Sequence, residues 1–147
     1  MVYLVDTNVL LRFVQRSHPL HPIARAAVRK LRRGGHQLLV TSQNCIEFWN
    51  VATRPINKNG LGLTATDADR LLRLVERLFP TLPDTPAVYP EWRRLVVTLD
   101  VLGVQVHDAR LAAAMKANGV THILTFNADD FTRYASEGIV AADPATV

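Results

Sequence analysis

The sequence predicts an α/β fold organised around a mainly parallel central sheet. Two observations carry this. Short apolar runs of strand length recur at Val2–Val5, Leu38–Val40 and Ile123–Thr125. Segments with helical spacing of apolar residues lie between them, and that alternation implies βαβ units with helices on both faces of a parallel sheet.

The first run, Val2-Tyr3-Leu4-Val5, is apolar throughout and reads as a strand buried on both faces. Asp6 ends it, and Val9, Leu10 and Phe13 give the following helix one apolar face until Ser17-His18-Pro19 breaks it. His21-Pro22 opens a second helix with an Ile23, Ala26, Ala27, Leu31 stripe, closed by Gly34-Gly35. Leu38–Val40 is the second strand. Ser42 is placed to cap a third helix running to Thr53, stopped by Arg54-Pro55. Residues 54–65, with Pro, Gly and Asn, read as a surface loop. Thr66 or Asp67 caps a helix with Leu71, Leu72, Val75 and Leu78 inward. Leu82 marks a short edge strand, and Thr85 or Pro86 opens a helix through Val88, Trp92, Leu95, Val96 and Leu99. Val104–Val106 reads as extended. A helix over 107–118 ends at Asn118-Gly119, Ile123–Thr125 is a strand, Phe131 and Tyr134 share a helical turn, and Ile139-Val140 closes the sheet.

The 147 residues form one expected domain, 1–147, long enough for an ordinary core. With 48% hydrophobic and 20% charged residues the chain is globular rather than disordered. A single cysteine, Cys45, excludes an internal disulfide framework and a multi-cysteine zinc site. No leader or membrane span is expected, so the expected location is cytoplasmic. The formal charge of +4 suits a polyanionic partner or plain solubility.

Four acidic or polar positions stand at helix starts or strand ends. Asp6 leaves the first strand at the carboxyl edge, where open α/β sheets bind ligands. Glu47 lies on the third helix, with Asn44 and Asn50 three residues to either side; it is either a site acid, a capping-box acid or solvated. Asp108 shares its helix face with Leu111, Ala112 and Met115, which a first-turn dipole role alone does not explain. The cluster Asn127, Asp129 and Asp130 follows the third strand and alone would be an ordinary turn. Together these groups would crowd one sheet edge. Crowded carboxylates repel unless a cation neutralises them, and hard oxygen ligands favour Mg²⁺ or Mn²⁺. Metal-assisted phosphodiester hydrolysis is the matching chemistry.

Four motifs in register resemble the PIN-domain ribonucleases, specifically the VapC-type toxins of toxin–antitoxin pairs: Val5-Asp6-Thr7-Asn8; Glu47-Phe48 with Asn50-Val51 and Thr53-Arg54-Pro55; His107-Asp108-Ala109; and Thr125-Phe126-Asn127 with Asp130-Phe131. The resemblance implies a three-layer α/β/α PIN-like domain, an endoribonuclease using Mg²⁺ or Mn²⁺ to hydrolyse RNA by metal-activated water. Asp6, Glu47 and Asp108 match three acidic positions; the fourth falls on Asn127, with Asp129 and Asp130 as supporting acids. Thr7 and Asn8 would position Asp6. A homodimer and a small antitoxin partner are also implied.

Arg54 and Lys58 are RNA-contact candidates from their proximity to the Glu47 helix, while the Arg25–Arg33 run reads as a solvated face. His18 and His21 read as solvated, His107 as capping or hydrogen-bonded, Cys45 as a small buried apolar group, and Trp49 and Trp92 as core or interface aromatics. Two alternatives stand beside the nuclease: a haloacid-dehalogenase-like phosphatase with Asp6 as nucleophile, and a non-catalytic PIN-like module binding RNA or a partner.

Overall fold

The computed structural model describes residues 1–147. Four strands form one sheet in the order β2-β1-β3-β4, every pair parallel. They are β1 (Val2–Val5), β2 (Gln37–Leu39), β3 (His122–Leu124) and β4 (Val140–Ala142). The helices are α1 (Thr7–Val14), α2 (His21–Arg33), α3 (Ser42–Thr53), α4 (Ala65–Leu78), α5 (Val88–Thr98) and α6 (Val106–Ala117).

Alternation along the strands divides the core into two. Tyr3, Val5 and Leu124 join one buried cluster with residues of α1 to α4, including Leu10, Val28, Phe48 and Val75. Leu4 and Ile123 join the other, with Leu95, Leu111, Met115, Phe131 and Tyr134. Both faces of β1 and β3 are therefore covered, which is why Val2–Val5 and Ile123-Leu124 are apolar instead of alternating. The result is a three-layer α/β/α arrangement.

β1 and β3 pair with Val5 opposite Leu124. The next residue on each strand, Asp6 and Thr125, thus leaves the sheet side by side. β2 lies on one flank of β1 and β3 on the other, so the connections diverge at the β1/β3 crevice, the usual ligand position in such sheets.

Several local expectations shift. Thr41, not Ser42, caps α3: its hydroxyl accepts from Asn44 N–H at 3.1 Å while Asn44 Oδ1 accepts from Thr41 N–H at 3.0 Å. A reciprocal capping box beats a one-sided cap. Thr64 caps α4 instead of Thr66 or Asp67, and α5 begins at Val88, after a turn at Thr85–Ala87. Val104–Val106 is not extended. Gly103 takes φ +58 and starts a 3-10 turn that runs into α6. The Leu82 edge strand reduces to one isolated bridge, Val40 to Thr81. The last strand begins at Val140, and Ala128–Glu137 is a longer 3-10 segment than a single turn.

Leu4 is fully buried at the centre of the sheet. Leu4→Ala should cost about 2–5 kcal/mol in urea unfolding. A loss below ~1 kcal/mol would mean that the second core does not depend on this strand.

Candidate active site

Asp6 is the structural origin of the site. It is 7% exposed, and its backbone N–H donates to Leu124 C=O at 2.9 Å, extending the sheet by one bond. It is also the N-cap of α1: Thr7 N–H donates to its Oδ1 at 2.8 Å. Its other oxygen accepts from the Thr125 hydroxyl at 2.8 Å and from Asn8 Nδ2 at 3.3 Å. The Asn8 amide is used at both ends, since its Oδ1 accepts from Phe126 N–H at 3.1 Å. Thr125 Oγ1 in turn accepts from Asn127 N–H at 3.0 Å. These bonds fix the carboxylate to both strands of the crevice.

Glu47 approaches from α3. Its Oε2 accepts from the Thr7 hydroxyl at 2.9 Å and its Oε1 from Gln43 Nε2 at 2.8 Å. Asn44 donates to the same Thr7 hydroxyl at 3.2 Å. Gln43 Nε2 also donates to His107 C=O at 2.8 Å, and Arg110 donates to Gln43 Oε1 at 3.2 Å. The polar stripe of α3 thus bridges the start of α1 and the start of α6. Glu47 is neither the capping-box acid, a place taken by Asn44, nor freely solvated.

Asp108 stands in the first turn of α6, half-buried, with Leu111, Ala112 and Met115 buried beneath it. Burial pushes the Asp6 carboxyl up to about 6, against the pull of its hydrogen bonds and reinforced by Asp108 and Glu47. Burial likewise raises Asp108 to about 6, with Asp130 and Glu47 adding repulsion. Neither Asp6 nor Asp108 has an ion-pair partner. The acids therefore repel one another, and at Asp108 this is opposed only in part by the nearby His107 and Arg133.

No group of three His, Cys, Asp or Glu side chains converges closely enough to cage a metal ion. Magnesium does not need such a cage: it keeps waters and takes one or two carboxylates plus substrate oxygens. Asp6 and Asp108 match that modest donor set, with Glu47 behind them.

The remaining expected residues divide. Asn127 is exposed at the end of β3, and only its backbone joins the network. Asp129 and Asp130 are exposed and line a cleft of about 350 Å³ together with Asp108. A second cleft of about 430 Å³ contains Glu47, Asn50, His107 and Arg110. Arg54 and Lys58 line neither; they lie beyond the far end of α3. The arginines of the two clefts are Arg133 and Arg110. The His107 ring is exposed and makes no hydrogen bond, its carbonyl being the group used. The His18 ring bonds to Leu20 N–H and the His21 ring to the Arg12 carbonyl, so the two rings do not form a ligand pair. Gln43 escaped the sequence analysis although it precedes Glu47 by one helical turn, and Thr125 was read only as part of a strand and motif although it follows β3 as Asp6 follows β1.

The PIN domain family matches residues 3–137, most of the chain. This chain belongs to the PIN domain family. Solved structures agree on the fold. The PIN chain here is 14% identical to VapBC-1 from nontypeable Haemophilus influenzae, covering 99% of this chain and 100% of that one with a TM-score of 0.73. VapBC2 from Rickettsia felis, bound to a DNA fragment from its promoter, is 11% identical over 97% and 98%, with a TM-score of 0.71. VapC20 from Mycobacterium tuberculosis, a toxin that cleaves the sarcin-ricin loop, is 15% identical over 95% and 97%, at 0.66. A search of curated proteins finds no match. No helix of this PIN domain is long and apolar enough to cross a membrane.

The raised Asp6 carboxyl has a pH consequence. It binds its proton more tightly in the folded chain than at the ordinary value of 3.8. Its contribution to stability is therefore fullest below about pH 3.8 and is lost as pH rises through about 6. Without divalent cations, Asp6→Asn should gain on the order of 2–3 kcal/mol relative to wild type between pH 4 and pH 7. Parallel pH–stability curves for the two proteins would contradict the burial of an uncompensated charge.

Proposed function

We propose that this protein is a Mg²⁺- or Mn²⁺-dependent endoribonuclease and the toxin of a toxin–antitoxin pair. The observation that carries the proposal is Asp6 at the β1/β3 crevice, its carboxyl raised mainly by burial and further by Asp108 and Glu47, with no ion-pair partner. Membership of the PIN family and likeness in fold to VapBC and VapC structures support it.

Asp6 and Asp108 would hold the ion. Once bound, it would supply Lewis-acid charge and lower the pKa of water at neutral pH. Thr125, Thr7 and Asn8 fix the Asp6 oxygens so that little reorganisation is needed when charge develops. Glu47, anchored through Thr7 and Gln43, would add a third carboxylate beside the ion. Arg110, in the cleft that also holds Glu47, would draw the RNA backbone toward the acids. Asn127, at the fourth acidic position, leaves the site suited to one ion instead of two.

The phosphatase alternative is weaker on a specific point. A phosphoaspartate mechanism wants an acid at position 8, and Asn8 is instead a neutral clamp between Asp6 and Phe126. A small antitoxin overlying the acidic groove, a homodimer and a cytoplasmic setting complete the proposal.

Purified protein should cut RNA with Mg²⁺ or Mn²⁺ and stop on chelation. Asp6→Asn and Asp108→Asn should each lower the rate at least about a hundredfold, and Glu47→Gln roughly ten- to a hundredfold. Gel-based cleavage of total RNA measures this. Wild-type cleavage by Asp6→Asn would sink the mechanism, and RNA binding without any cleavage would favour the non-catalytic module.

A further inference from the structure

The 350 Å³ cleft beside Asp108 holds donors that nothing in the chain uses. Tyr134 is 1% exposed, lines this cleft, and its hydroxyl has no hydrogen-bond partner. Arg133 Nη1 is also buried and unpartnered. The rest of that guanidinium is held: Nη2 donates to Gln105 Oε1 at 2.8 Å. Leaving buried donors unmade costs roughly 1–3 kcal/mol each, so the pair calls for an acceptor from outside the chain.

The opposite wall is made of acceptors. Asp108, Asp129 and Asp130 line the same cleft, and neither Asp129 nor Asp130 forms an ion pair. Three carboxylates outweigh one guanidinium, so a free phosphate would meet net repulsion here. A neutral ligand carrying both donors and acceptors satisfies both walls. Val104, 83% exposed at the rim, adds an apolar surface for a flat ring. The volume lies at the small end of ligand pockets, suiting one planar group and not a run of them.

We infer that this cleft is a subsite for one unstacked nucleobase of the RNA, with guanine as its best complement. The inference rests on the nuclease reading above only for the origin of the base. Guanine presents two adjacent N–H donors, which a carboxylate accepts as two parallel bonds. Its O6 and N7 accept from Arg133 and Tyr134, the pairing that arginine makes with guanine elsewhere. Cytosine and adenine offer a carboxylate only an amino group, and uracil a single N–H. Single-stranded RNA is commonly read through such splayed-out bases. Because Asp108 belongs to both cleft and acidic site, the bound base would sit next to the phosphate being cut and set the sequence preference.

The test is calorimetric titration of the full chain in EDTA with GMP, AMP, CMP, UMP and inorganic phosphate. GMP should bind roughly tenfold or more tightly than the other four, and Tyr134→Phe and Arg133→Gln should each weaken it by about 3- to 30-fold. Tyr134→Phe removes only an unpartnered hydroxyl, so its melting temperature should stay equal or rise. Equal binding of all four nucleotides, tighter binding of phosphate or another nucleotide, no saturable GMP binding at millimolar concentration, or GMP binding untouched by both variants would each overturn the assignment. RNA cleavage by the same preparation with Mg²⁺ separates the two readings. GMP selectivity without cleavage would leave the subsite standing and remove the nuclease, whereas cleavage without GMP selectivity would do the reverse.

Discussion

The structure depends on one buried carboxylate at the open end of the sheet. Asp6 is at once the last sheet-bonded residue of β1, the cap of α1 and the acceptor of hydrogen bonds from Thr7, Asn8 and Thr125. Those roles are local and structural, yet they do not settle its charge. Burial raises the carboxyl to about 6 despite three donors aimed at it, and two further acids push the same way. A position that only capped a helix would be filled as well by Asn or Ser, without burying a charge. The retained acid makes sense when a cation completes the site.

The second acid and third acid arrive through different physics. Asp108 is carried by packing: Leu111, Ala112 and Met115 bury the face it shares and hold α6 against the sheet. Glu47 is carried by a polar relay that runs from Thr41 through Asn44 to Thr7, then through Gln43 to the His107 carbonyl. This relay links α3 to both α1 and α6, so the acids on three elements cannot drift independently. On the far side, an ionic knot of Arg94 with Glu91 and Glu137, joined by Lys116, ties α5 and α6 to the 3-10 segment. Most of that knot's energy is screened by solvent.

The strands and the parallel sheet were legible in the sequence because residues buried on both faces must be apolar, as Val2–Val5 of β1 and Ile123-Leu124 of β3 are. Asp6 and Asp108 were legible because an acid beside apolar neighbours violates the pattern around it. Gln43, Thr125, Arg133 and Tyr134 were not, since neutral polar groups and a surface arginine violate nothing; their meaning lies in partners 64 and 119 residues away along the chain, or in having none. Arg54 and Lys58 were chosen by nearness in sequence to Glu47, and a helix carries its end away from its middle at about 1.5 Å per residue. Boundary errors at Ser42, Thr66 and Val104 share one cause: several hydroxyl or extended-looking residues competed, and tertiary hydrogen bonding chose among them.

The proposed function requires that Asp6 and Asp108, both raised mainly by burial, share a divalent cation. Carboxyl carbon NMR of the labelled protein, titrated in EDTA and again with saturating Mg²⁺, tests it most directly. The predicted result is apparent pKa values near about 6 for both residues without metal, falling well into the acidic range when Mg²⁺ is present. Ordinary carboxylate values in EDTA that ignore Mg²⁺ would contradict it.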